Sequence, residues 1–360
     1  LTATPTASTT STSSQSNTPT ASTTPSPLYA YFRPENLVVV RVGTSGTNAT
    51  VPVGWQPVFL DEVETTYGSI VNSMALPSLA AGANYPCRLL GGDGPDVDGK
   101  LTRSDDGRFL LLGCRGASSA AQAASTAPGI IARIAAVGGI DTSTQAGVNA
   151  PVTGISSAAG ASFWFGTAGS GVRFAASLGV ATSAAVSTTF ANIADIASVG
   201  GQLHALVSNS PSGVVSVGMF MPTAPGQLAT KLAGFNTPST RVSRAMYFAS
   251  ATRLWMADIR NTTLSAYVYD YVASPTNAWR ETRAISCGTV PATGLPYLTA
   301  RTETAVLMLY LSGPGGIYRV NAVTYTCSLV VRAPLGAAFR GIARAPYNAC
   351  LLYTSDAADE

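Results

Sequence analysis

Charge is what this chain has least of. Asp, Glu, Lys and Arg together make up 11% of its 360 residues, with a net charge of +3, against about 25% in an ordinary soluble protein. Lys100 and Lys231 are the only lysines, and the arginines are scattered. A nucleic-acid partner is therefore not expected, because phosphate binding needs a clustered basic face. Histidine occurs once, at His204, too few for a histidine-built zinc site. No apolar run reaches the roughly 18 residues that a membrane helix needs. The nearest, GIIARIAAVGGI at 129–140, is broken by Arg133 and its glycines.

With so few charges, the surface must stay soluble by Ser and Thr hydroxyls, by attached glycans or by burial in an assembly. The chain begins with LTATPTASTTSTSSQSNTPTASTTPSP, a Thr/Ser/Pro tract without a charged side chain. It has too little apolar surface to fold alone and reads as an extended arm over 1–28, O-glycosylated at positions such as Thr6, Thr18, Thr20, Thr24 and Ser26. No charged leader with an apolar core precedes it, which points to a mature form or a fragment. At the other end, CLLYTSDAADE at 350–360 resembles a translated sequencing adapter and is set aside, Cys350 with it.

Four cysteines remain, with three pairings open to them. Proximity favours Cys87 with Cys114 and Cys287 with Cys327; four buried thiols are the alternative. Two sequons, Asn48-Ala49-Thr50 and Asn261-Thr262-Thr263, fit the same oxidising, secreted or cell-surface setting. Covalent glycans are thus among the expected partners.

From residue 29 to 349 short apolar strands alternate with turn clusters, and no long helical pattern intervenes. LVVVRVG, PVFLDEVE, RFLLLGC, SFWFGT, QLHALVS, RLWMAD, LSAYVYDYV, AVLMLYL and CSLVVRA are the clearest strands, rich in β-branched and aromatic residues and bounded by Gly, Ser, Asn, Asp or Pro. GASSAAQAASTAPG, at 116–129, lacks an apolar helical face and reads as loop or edge strand. Intensely apolar strands begin near Phe109, Phe163, Leu203, Leu254 and Val306, at intervals within the propeller range. RFLLLG and AVLMLYL do not alternate, so both faces must be buried, as when blades pack face to face. The fold class expected is an all-β propeller of about six or seven blades, with LVVVRVG and PVFLDEVE pairing with the C-terminal strand to close the ring. Tandem β-sandwiches are the alternative.

The stretches FLDE, LTRSDDGRFLLL (101–112), SGVRFA (170–175), RLWMAD (253–258) and FRGIARAP (339–346) resemble secreted microbial β-propellers with YVTN- and NHL-like repeats. The resemblance spans residues 30–349, rests on turns and strands, and implies a fold without a function.

Candidate chemistry is sparse. His204, within QLHALVS, is expected to be a half-buried strand residue, since a general base needs a positioned partner. No G-x-S-x-G elbow accompanies it, and GTAGSG at 166–171 has the wrong spacing for a phosphate loop. GGDGPDVDGKLTRSDDG, at 91–107, partly matches a calcium loop: Asp96, Asp98 and Asp105 are the candidate ligands, but Gly94 stands at the first ligand position and Asp105 replaces the usual Glu. A solvated turn, with no cofactor, is the plainer reading. Tyr267, Tyr269, Tyr271 and Trp279 form either a cross-strand ladder or an exposed face for sugars or a partner.

Two functions are left open. One is a non-catalytic extracellular glycoprotein, a structural or adhesive module of a cell surface, matrix or fibre that self-associates or binds matrix proteins. The other is a glycan-binding lectin or metal-dependent hydrolase working through the propeller's central funnel.

Overall fold

A computed structural model describes residues 31–44, 46, 50–91, 98–208, 213–235, 243–260, 263–273, 277–289 and 296–347. The arm, the 350–360 tail, Asp96, both sequon asparagines and the proposed O-glycosylation positions lie outside these residues.

Every regular element among the described residues is a strand. The first are β1 (Leu37–Val42), β2 (Gly54–Glu64), β3 (Ser69–Ala75) and the short linking strand β4 (Arg88–Gly91). β5 (Leu101–Arg103), β6 (Phe109–Arg115), β7 (Gly129–Ala135) and β8 (Ile140–Gln145) make one antiparallel unit; β9 (Val152–Ser156), β10 (Phe163–Thr167), β11 (Gly171–Ala175) and β12 (Ala184–Ser187) make the next. β13 (Ile193–Val199), β14 (Gln202–Val207), β15 (Gly213–Val217) and β16 (Ala229–Lys231) follow, then β17 (Ser243–Ser250), β18 (Arg253–Arg260), β19 (Thr263–Val272) and β20 (Ala278–Thr289). β21 (Tyr297–Glu303), β22 (Val306–Gly313), β23 (Gly316–Asn321) and β24 (Cys327–Arg332) form the last consecutive unit.

The final strand, β25 (Ala338–Arg344), returns to the start of the chain and pairs antiparallel with β1, giving the order β25–β1–β2–β3. Among the described residues the strands thus form six four-stranded units, the first two joined through β4. The first strands β5, β9, β13, β17 and β21, together with β25, each pack on the next, and β25 closes the circle on β5. The fold is a β-propeller. FRGIARAP, within and just beyond β25, supplies the innermost strand of the first unit. Closure of this kind completes the first unit with a strand from the far end of the chain and locks the circle.

The apolar pattern explains the packing. The five onsets at Phe109, Phe163, Leu203, Leu254 and Val306 mark the second strands of the five consecutive units. Such a strand lies between two neighbouring sheets and buries both faces. In β1, Val38, Val40 and Val42 pack toward the second unit, while Leu37 and Val39 pack toward the sixth. In β22, Leu309 and Leu311 join the core shared with the fifth unit, while Met308 and Tyr310 join the core shared with the first. The apolar interior is accordingly divided into cores between neighbouring units.

The motifs that carry the sequence resemblance hold structure. In FLDE, Asp61 pairs with Arg41 of β1 at 2.6 Å, and Glu62 accepts hydrogen bonds from the backbone N–H of Arg33 and the amide of Asn36, both at 2.7 Å. SDDG is the β5–β6 turn: Gly107 donates to the Ser104 carbonyl at 2.8 Å with φ of 74°, and Asp106 accepts from the Ser104 hydroxyl at 2.6 Å. Residues 116–128 form an irregular connection between β6 and β7.

Both expected disulfides are present. Cys87 and Cys114, with Cα atoms 5.3 Å apart, tie the segment before β4 to β6. Cys287 and Cys327, 5.2 Å apart, join the outermost strands β20 and β24 of two neighbouring units.

Candidate functional site

The first strands of the units line a central cavity of about 290 Å³. Lys100, at the entry to β5, reaches the Asp195 carboxylate of β13, the two ends meeting at 2.8 Å with both side chains almost fully buried. Asp195 also accepts the backbone N–H groups of Met246, on β17, and of Ile196, each at 2.8 Å. One carboxylate therefore binds three units together. Burial pushes its pKa up, and Lys100 with the two N–H donors opposes that rise.

Glycine makes this reach feasible. β9 passes between β5 and β13, and a Cβ at Gly154 of β9 would lie 2.8 Å from the Asp195 carboxylate and 2.6 Å from the Ile196 nitrogen. A similar requirement holds where β25 closes on β5: Gly341 donates to the Gly99 carbonyl at 2.9 Å, and a Cβ at Gly341 would fall 2.2 Å from that oxygen.

Toward the C-terminal ends of the first strands the lining changes character. Arg103 of β5, Tyr247 of β17 and Arg344 of β25 face the same cavity. Burial lowers the Arg103 pKa, and the neighbouring Arg344 charge lowers it further. Burial raises the Tyr247 phenol, while both arginines act to bring it down. Arg103 donates to the Ala345 carbonyl at 3.3 Å, and its guanidinium lies 5.8 Å from the Tyr347 ring centre.

The other sequence candidates fall elsewhere. His204, on β14, is half-buried, with Nδ1 3.4 Å from the Ser216 hydroxyl and its ring 4.9 Å from Phe248. Burial lowers its pKa to about 4. It does not line the central cavity. Asp98 is buried beside a separate cavity lined by Trp55 and Arg115, its backbone carbonyl accepting from the Tyr297 hydroxyl at 2.8 Å, whereas Asp105 lines the central cavity. The structure does not bring these two candidate calcium ligands into one cavity. No cluster of three or more His, Cys, Asp or Glu side chains suited to a metal occurs among the described residues.

The tyrosine-rich strand is not an exposed aromatic face. Tyr267, Tyr269 and Trp279 are buried in the core between the fourth and fifth units, where Phe235 stacks 4.9 Å from Tyr269 and 5.7 Å from Trp279. Only Tyr271 reaches the surface, opposite Trp279 at 5.7 Å. The residues around the channel were missed in the sequence because they lie far apart in the chain. One signal was available: a charged side chain within or at the end of a repeat's first strand, as in KLTR, NIADIAS and GIAR.

No protein-family model matches the chain, and no curated protein sequence matches it. Solved structures do resemble it. A chain in the crystal structure of a nidogen/laminin complex has a TM-score of 0.51 at 12% identity, covering 86% of this chain and 98% of that one. A protein from Lactobacillus plantarum scores 0.45 at 10% identity, with 84% and 99% covered. PorZ, a surface component of the type-IX secretion system of Porphyromonas gingivalis, scores 0.44 at 11% identity, with 83% of this chain and 41% of that chain covered. The first likeness agrees with the propeller fold and reaches no further than the fold. No helix among the described residues is long and apolar enough to cross a membrane.

Proposed function

We propose that the chain is a non-catalytic extracellular glycoprotein, a rigid propeller that serves as a structural or adhesive module of a cell surface, matrix or self-assembling fibre. The observation that carries this reading is the disulfide framework. Cys287–Cys327 clamps neighbouring units at the rim and Cys87–Cys114 secures the linker beside the closure, and structural disulfides persist in oxidising compartments. The Thr/Ser/Pro arm, the sequons at Asn48 and Asn261 and the likeness to secreted YVTN- and NHL-type repeats belong with it. So does the use of the channel's most buried charges, which bind one another: Lys100 and Asp195 hold units together, and His204 stands apart from the cavity.

In this reading the arm lies along a neighbouring subunit, and low surface charge favours large protein contacts. Sizing and imaging the secreted protein with and without residues 1–28 tests it. Assemblies that depend on the arm are expected; a monodisperse monomer in both forms contradicts self-association. The second reading, a lectin or hydrolase working through the central funnel, draws on the cavity itself, where Arg103, Tyr247 and Arg344 converge.

A further inference from the structure

Arg103 and Arg344 present two guanidinium groups to one cavity. Neither forms a salt bridge among the described residues. The Arg344 Nε is buried and has no hydrogen-bond partner. A buried donor left unmade is costly, and two like charges facing one partly buried cavity repel each other. Two carboxylates line the same cavity, Asp195 and Asp105. Asp195 is engaged by Lys100. Asp105 lies beside Asp106, and burial together with that neighbouring charge raises its pKa; it forms no salt bridge among the described residues. The phenol of Tyr247 lines the same cavity as a further donor.

The geometry points to an oxyanion-binding site in the central channel, in which Arg103 and Arg344 grip a carboxylate, phosphate or sulfate group of a small ligand and Tyr247 donates a third hydrogen bond. Guanidinium suits such groups because its planar N–H fork matches two oxygens at once. A volume of about 290 Å³ accommodates a single sugar acid or a small phosphate ester. Binding fills the vacant Arg344 donor and replaces cation–cation repulsion with two attractions. No bond is made or broken. The inference stands apart from self-association: a monomer would hold the same site.

The test is calorimetric titration of the full secreted chain with inorganic phosphate, sulfate and glucuronate, in a low-chloride buffer of fixed ionic strength, paired with thermal unfolding. The wild type should bind at least one of the three and unfold at a higher temperature in its presence. Arg344→Gln and Arg103→Gln should each weaken binding roughly ten- to a hundredfold, the effect of a lost charge-assisted hydrogen bond. Arg332→Gln, at the exposed end of β24, should bind as the wild type does. Preference for glucuronate identifies a sugar-acid ligand; preference for phosphate or sulfate identifies an ester. Should Arg103→Gln fail to fold, Arg344→Gln decides, because the Nε it removes has no partner to lose; without anion it should unfold at a temperature no lower than the wild type. No binding of any probe at tens of millimolar, or equal binding by wild type and Arg344→Gln, overturns the site.

Discussion

Replacing Lys100 with Met should expose how the channel is held together. Lys100 and Asp195 are 95 residues apart and belong to units separated by a third, and their contact at 2.8 Å is almost fully buried. Lys100→Met keeps most of the side-chain volume and the two backbone N–H bonds to Asp195, but leaves the carboxylate without its cation. Breaking a buried pair from one side costs about 3–5 kcal/mol. At about 2 °C per kcal/mol, the lower end of the usual range because the chain is long, the unfolding midpoint at pH 7.5 should fall by roughly 6–10 °C. The pH dependence gives the effect a signature. Burial already raises the Asp195 pKa, and losing Lys100 raises it further. A carboxyl raised in the native state costs nothing below its unfolded pKa of about 3.9, and its penalty grows as pH climbs through the native value. The deficit of Lys100→Met should therefore shrink between pH 7.5 and pH 4.5. Lys100→Met/Asp195→Asn should abolish the pH dependence and recover only part of the loss, because the amide oxygen can accept one of the two backbone N–H groups that the separate carboxylate oxygens accept. Differential scanning calorimetry of the three proteins at both pH values provides the comparison. A single variant within 1 °C of wild type at pH 7.5, or a deficit that does not shrink in acid, would refute the arrangement.

Gly154→Ala should destabilise by about 1–3 kcal/mol, the cost of overpacking, because the new Cβ meets backbone and carboxylate at under 3 Å; denaturant titration against Gly139→Ala, where the nearest atom is 3.9 Å away, reads the difference. Removing the rim clamp with Cys287→Ser/Cys327→Ser opens a loop with sequence separation 40 and should cost about 4 kcal/mol by chain entropy. A reducing agent should then have a smaller effect on the variant than on the wild type. His204, with a native pKa of about 4 set by burial, binds fewer protons folded than unfolded between pH 4 and 6.5. Stability should fall as pH drops through that window, and His204→Phe should flatten the slope between pH 6.5 and 5 in equilibrium unfolding.

The blades were legible because their second strands bury two faces, and a run such as LVVVRV or FLLLGC has no polar alternation to hide the fact. Ring closure by the C-terminal strand was legible in outline. The part played by FRGIARAP was not, because an inner strand that starts a new blade and one that completes the first carry the same residues. The disulfides followed from proximity in the chain, since each pair joins neighbouring or locally connected strands. Tyr267 and Tyr269 left two readings open because alternation identifies a strand face without saying whether the next blade covers it; here Phe235 and the fourth unit do. The channel charges were the least legible. Lys100, Arg103, Asp195, Tyr247 and Arg344 come from four first strands, and only the circular arrangement of those strands brings them together.

The proposal of a disulfide-clamped glycoprotein working outside the cell is tested most directly by non-reducing peptide mapping, with mass spectrometry, of the protein purified from its native source. The account predicts cross-linked peptides joining Cys87 to Cys114 and Cys287 to Cys327, O-glycans on the 1–28 arm at positions such as Thr18 and Thr20, and N-glycan at Asn48 or Asn261. Free thiols at all four cysteines in a chain without glycans would contradict it.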